Sequence, residues 1–220
     1  MSQWKDSFRL LEKDVRLELR QKTSIAGITI YVISTAFVVM YAFKGNLDVR
    51  SWIAVFWIVA LFSATSAATR SFSKEATSQF YYMKFLSSPL SLILSKILYN
   101  SLLITLLNVV CWLVMTLFFG TLIYNLYIFF IAVVLGSIGL ANVFTLLSSV
   151  SARTQNPVLL SIMGFPIIIP LIALLVKLSF LSGVITGFEK DKLSVIGGLL
   201  VLNVIIIILS VVLFPYLWRD

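Results

Sequence analysis

Histidine is absent from this sequence, cysteine occurs once, and only nine of the 220 residues are acidic. Each shortage excludes a class of function. Without histidine there is no Ser–His hydrolase and no H-E-x-x-H zinc protease. The single cysteine, Cys111, lies in an apolar run and can build neither a disulfide framework nor a thiolate metal cluster, so it reads as a small buried hydrophobe. The acidic residues are Asp6, Glu12, Asp14, Glu18, Asp48, Glu75, Glu189, Asp191 and Asp220, and none falls in the middle of an apolar stretch. A proton-relay pump or an intramembrane aspartyl protease needs one there. No G-x-x-x-x-G-K-[ST] occurs either, so ATP is not held through a P-loop of this chain. The expectation is a protein that is not itself an enzyme, binds no metal and carries no cofactor of its own.

What is present is hydrocarbon. The chain is 60% hydrophobic and 12% charged, with mean hydropathy +1.04, whereas soluble domains are about 25% charged. The expected class is an all-α integral membrane protein. Six apolar stretches approach the ~20 residues a bilayer requires, at Ile25–Phe43, Trp52–Thr69, Leu92–Phe119, Leu126–Val150, Pro157–Leu178 and Leu193–Leu217. Lipid offers no partner to a free backbone group, so each should be a helix.

The formal charge of +8 is a matter of topology rather than of nucleic acid, because Lys and Arg cluster in short segments beside the spans. Twelve of the 17 fall on one side: Lys5, Arg9, Lys13, Arg16, Arg20, Lys22, Arg70, Lys74, Lys84, Lys96, Arg153 and Arg219. Lys44, Arg50, Lys177, Lys190 and Lys192 fall on the other. The bias predicts both termini in the cytoplasm.

Residues 1–22 are too long and too charged for a secretory signal. Trp4, Phe8, Leu11, Val15 and Leu19 make one helical face, flanked by Arg9, Lys13, Arg16 and Arg20. An amphipathic helix lying in the membrane interface is expected; a cytosolic helix packed on a partner uses the same stripe. Residues 23–220 are expected to form one six-helix domain. Within it, Asn100, Asn108, Asn142 and Asn203 need hydrogen-bond partners, either across helices or along a translocation path. The runs "SATSAATR" from Ser63 and Gly136, Ser137, Gly139, Ala141 permit close helix approach. In "MGFPIIIP", Pro166 and Pro170 share a face beside Gly164 and predict a fixed kink or a moving hinge.

The polar loop 70–91 is expected on the cytoplasmic side. Phe80 and Lys84 share a helical face there, as do Tyr81 and Phe85, while Lys74 and Glu75 could set register. A transport domain without an ATP site needs a separate motor, and this coupling loop is where one would dock. The competing reading is a segment whose aromatics rest in headgroups.

Five stretches together make a resemblance: "KDVRLELRQK" from Lys13, "SFSKEATSQFYYMKFLSSP" from Ser71, "ILSKILYN" from Ile93, "GFPIIIPLI" from Gly164 and "LFPYLWRD" from Leu213. End to end, the chain resembles the CcmB family, haem exporter protein B of cytochrome c maturation system I. The resemblance implies an ABC-2-like permease in the bacterial inner membrane. It implies a CcmA-like ATPase that holds ATP, CcmC-, CcmD- and CcmE-like neighbours, and haem handled by the complex. It also implies that ATP hydrolysis releases the haem-loaded chaperone. Half-transporter size allows a homodimer within the complex. With no histidine, and with Met40, Met115 and Met163 better suited to packing, a mechanical role without haem ligation is expected. Two other functions fit the same architecture: an ABC-2-type permease exporting a lipid or drug, and a non-transport membrane scaffold.

Overall fold

The computed structural model describes residues 7, 10–16, 23–73, 89–154, 158–183 and 189–219. Among them all regular structure is helical. Residues 10–16 form α1. Six long helices follow: α2 (Thr23–Ala42), α3 (Val49–Ser73), α4 (Pro89–Phe119), α5 (Leu126–Thr154), α6 (Val158–Gly183) and α7 (Glu189–Arg219). They coincide with the six apolar stretches and mostly run a few residues beyond them, as backbone hydrogen bonding continues into the polar flanks. Five carry stretches long and apolar enough to cross a membrane: Val49–Ala67, Leu90–Phe119, Leu126–Ser151, Gly164–Gly183 and Lys190–Pro215. The apolar part of α2, Ala26–Ala42, is shorter. Its 17 residues rise about 25 Å, less than the ~30 Å hydrocarbon core.

The helix ends follow from local chemistry. Asp48 caps α3, its Oδ2 accepting the Arg50 N–H at 3.2 Å. The hydrogen bond from the Ser51 side chain, with those of nearby backbone N–H groups, holds the Asp48 carboxyl below its ordinary range. Asn125 caps α5 in the same way, accepting the Ile128 N–H at 3.2 Å. At the other ends, Gly45 (φ 76°) and Gly120 (φ 77°) take the left-handed conformation that closes α2 and α4.

α5 is the hub. It packs against α3, α4, α6 and α7, whereas α2 touches only α3 and α4. Every residue from Ala141 to Ser149 is buried. The small residues noted in the sequence explain the close approach. A β-carbon added at Gly136 would sit 2.5 Å from Trp57 Cη2 and 2.9 Å from Leu175 Cδ2. One added at Gly139 would sit 2.8 Å from Leu171 Cδ1. Near the start of α5, Phe129 joins Trp52, Phe56 and Trp57 in an aromatic cluster, with Phe56 and Phe129 centroids 5.2 Å apart.

The two ends of the bundle are distinct. Ser7, Asp14 and the C-terminal Phe214 all meet the first two turns of α4. The α2–α3 and α4–α5 turns lie at the opposite end, where the Asn125 N–H donates to the Ser182 carbonyl at 2.9 Å. Gly136→Val should therefore separate α3, α5 and α6, at an overpacking cost of about 1–3 kcal/mol. Thermal unfolding in detergent checks it: a midpoint equal to that of the native chain would mean that the contact is not limiting.

Candidate functional site

The junction at the start of α4 joins three segments distant in sequence. Ser7 Oγ donates to the Ser91 carbonyl at 3.2 Å. Lys96 Nζ lies 3.0 Å from Asp14 Oδ2, with side-chain exposures of 5% and 9%. Phe214 of α7 packs on Leu92, Ile93 and Ile97. The Asp14–Lys96 pair is enclosed, and Asp14 also has the more exposed Lys13 ammonium 3.6 Å away, so losing Lys96 would remove its buried partner. On the outer face of α1, exposed Arg16 pairs with Glu12 at 2.5 Å and supports the helix.

This junction refines the reading of the N-terminal stripe. Val15 packs on the main core and Leu11 is half-buried. Asp14, three residues from Leu11 and on the same face, is buried against α4. At Val15 the stripe packs on the bundle, and beside it the lysine in α4 gives Asp14 a partner that hydrocarbon cannot. Trp4, Phe8 and Leu19 lie outside the described residues. A signal was available in sequence: a carboxylate set in an apolar stripe, and a lone lysine in the apolar run "LILSKIL".

From this junction a polar seam runs inward along α5. Asn100 Nδ2 donates to Thr145 Oγ1 at 2.8 Å. Eight residues further along each antiparallel helix, Asn108 Nδ2 donates to Ser137 Oγ at 2.9 Å. The two rungs stand about 12 Å apart. Ser137 passes its own proton to the Val133 carbonyl at 2.6 Å. From α7, Asn203 donates to the carbonyls of Leu199 (2.9 Å) and Leu135 (3.3 Å). Near the far end Trp57 Nε1 donates to Ser179 Oγ at 2.9 Å.

The seam is only partly satisfied. Among the described residues, Asn142 has no partner for either amide atom, and the Oδ1 atoms of Asn100, Asn108 and Asn203 and the hydroxyls of Ser63 and Ser148 are also unpartnered. Asn142 is completely buried, and Ser63 and Ser148 nearly so. Three of the four asparagines thus make bonds between helices; Asn142 does not. The arrangement holds helices in register. Among the described residues no group of three or more His, Cys, Asp or Glu could hold a metal.

The proline pair lies on the opposite surface of α6. Gly164 is buried, and a β-carbon there would meet Leu147 Cδ1 at 2.9 Å. Pro166 and Pro170 are exposed, with Phe165 and Ile169, and the helix continues through both. The carbonyls they free therefore sit on the outward stripe, away from the seam. Lys74, Glu75, Phe80, Tyr81, Lys84 and Phe85 lie outside the described residues. The segment they belong to precedes α4, whose first turns form the junction.

A family model described as CcmB protein matches residues 5–214, taking in α1, the junction, the seam and the proline pair. No curated protein matches the chain.

Two outcomes follow from the geometry. Lys96→Met removes the buried partner of Asp14 and leaves it the more exposed Lys13, so α1 should loosen and trypsin should cut faster at Arg20 and Lys22; adding Asp14→Leu should restore protection. Equal cutting of the native and single-variant chains would show that the pair does not hold α1. Asn142→Leu removes an unpartnered amide and should raise the thermal midpoint, by an amount equivalent to about 1–3 kcal/mol. A lowered midpoint would show that the amide is bonded.

Proposed function

The chain belongs to the CcmB family, and from that premise we propose that it is the permease subunit of an ABC complex for cytochrome c maturation. It couples ATP hydrolysis by a separate CcmA-like subunit to release of the haem-loaded chaperone. Membership places it among the membrane components of haem export and cytochrome c maturation, alongside other Ccm proteins. The ATPase, the CcmC-, CcmD- and CcmE-like neighbours, a homodimer within the complex and the bacterial inner membrane are the finer parts of the proposal.

One observation carries the mechanical reading: α1, the start of α4 and the end of α7 are locked together immediately after residues 74–88. A motor docked on that loop through Phe80, Tyr81 and Phe85 would push on α4. The two amide rungs would carry the push to α5, and α5 touches α3, α6 and α7. All six long helices cross the membrane in this reading, the short α2 by local thinning of the bilayer. The Lys and Arg bias puts the junction end in the cytoplasm. The subunit supplies no catalytic group and ligates no haem: the buried side chains of the seam are amides and hydroxyls, poor axial ligands. Gly164 with Pro166 and Pro170 serves as the bend that accommodates the movement, its outward carbonyls free to lengthen.

A strain lacking the gene distinguishes the steps. Covalent cytochrome c, followed by haem staining, should be lost while the haem-loaded chaperone accumulates. Loss of both would place the subunit in haem supply, and normal cytochromes would leave a permease of other cargo or a scaffold.

A further inference from the structure

Between the first turns of α3 and the last turns of α6 the bundle has a lateral cleft of about 380 Å³, lined by Arg50, Ile53, Ala173, Val176, Lys177 and Phe180. It lies at the end opposite the Asp14–Lys96 junction. Four of its six lining side chains are apolar, and two are cations. Among the described residues neither cation has a carboxylate partner. The nearest acid in sequence, Asp48, is engaged in capping α3 through the backbone N–H of Arg50. The Arg50 guanidinium instead lies over the Phe180 ring, 5.2 Å from its centroid. That contact fixes the guanidinium while leaving its N–H groups to donate elsewhere.

The frame around the cleft is rigid. Trp57 Nε1 bonds Ser179 Oγ at 2.9 Å behind it. At its mouth α3 and α6 nearly touch, since a β-carbon added at Gly183 would sit 2.7 Å from Val49 Cγ1. Ile53 forms a buried floor.

We propose that this cleft binds an anionic phospholipid, with the headgroup phosphate taken by Arg50 and Lys177 and an acyl chain laid along Ile53, Ala173, Val176 and Phe180. Charge complementarity selects the occupant. Two cations without a carboxylate partner among the described residues, beside hydrocarbon side chains, call for a molecule that is anionic at one end and apolar along its length. A guanidinium and an ammonium at one mouth suit a phosphate. The volume lies in the lower part of the range of about 300–1,000 Å³ for ligand clefts, enough to cover part of a chain whose remainder lies in the bilayer. Of the five cations expected on the extracytoplasmic side, these two line a cleft. On the orientation proposed above the lipid belongs to the outer leaflet, and that one detail rests on the topology.

Native mass spectrometry of the full-length chain in detergent tests binding without reference to orientation, so its failure and a failure of the topology are separable. The chain is titrated with phosphatidylglycerol and with phosphatidylethanolamine carrying the same acyl chains. Retention of phosphatidylglycerol should exceed that of phosphatidylethanolamine. The preference should fall about fivefold with each of Arg50→Gln and Lys177→Gln. Lys190→Gln with Lys192→Gln, two cations outside the cleft, should leave it unchanged. Ala173→Trp fills the cleft without altering charge and should abolish retention, which keeps the test decisive if a charge variant fails to fold. Equal retention of the two lipids overturns the proposal, as does equal loss in the Lys190/Lys192 control. Displacement of the lipid by inorganic phosphate at millimolar concentration would overturn it too, because the site would then recognise the phosphate alone.

Discussion

In hydrocarbon an amide side chain has no solvent to fall back on, so the partners of Asn100 and Asn108 decide where α4 can lie against α5. Both find hydroxyls, Thr145 and Ser137, at one antiparallel register. A shift of one residue would break both bonds at once and leave the Asn100 and Asn108 amides without them. Apolar packing alone could not enforce this, since lipid tails are as apolar as the helix surfaces. The small residues of α5 act with the amides. Gly136 and Gly139 admit Trp57, Leu175 and Leu171, and the approach at Gly139 brings Asn203 within reach of the Leu135 carbonyl. Position and register are thus fixed by different chemistry on one helix.

The same helix holds polar atoms that the fold leaves unpartnered among the described residues, concentrated from Asn142 to Ser148 and on Ser63 of α3. A part built only for stability would replace them with leucine or alanine, because an unpaired buried amide costs more than it returns. Their retention fits an element with a second arrangement in which other bonds form. The seam begins at the Asp14–Lys96 junction, where a force from outside the membrane would arrive in the proposed mechanism. The partly satisfied stretch of α5 lies next to that point of entry, and the Asn108–Ser137 rung, bonded through the Asn108 Nδ2 but not its Oδ1 among the described residues, lies beyond it.

Much of this was legible in the sequence. Six helices followed from runs of apolar residues, and the close-packed hub from the small residues at 136–141, because both depend on composition over a few turns. The asparagines were legible as polar groups needing partners, but which helix each would meet was not, since that depends on the register of α4 against α5. The N-terminal stripe shows the same limit more sharply. Leu11 and Val15 have an identical pattern whether the face meets lipid or protein; what the structure adds is Asp14 between them, buried against α4. Reading that carboxylate together with Lys96, 82 positions away, requires the tertiary structure. The proline pair was legible as two breaks in the hydrogen-bond ladder of α6; that it faces outward came from which side of α6 packs on α5.

The two ends of the bundle treat charge in opposite ways, and the difference bears on how the molecule can move. At the junction end a cation is neutralised inside the protein by Asp14, so that end behaves as one piece with α1. At the other end Arg50 and Lys177 are left without carboxylate partners among the described residues, at a cleft open to the side. A charge satisfied internally travels with its helix at little cost. A charge satisfied by a molecule in the bilayer anchors its helix to the membrane. The start of α3 and the end of α6 are therefore the natural fixed points of the proposed mechanism, tied to each other through Trp57 and Ser179 and, on the proposal above, to lipid at the cleft. α4 and α1 are the natural moving ones, and α5, which touches both groups, is where displacement would have to be absorbed.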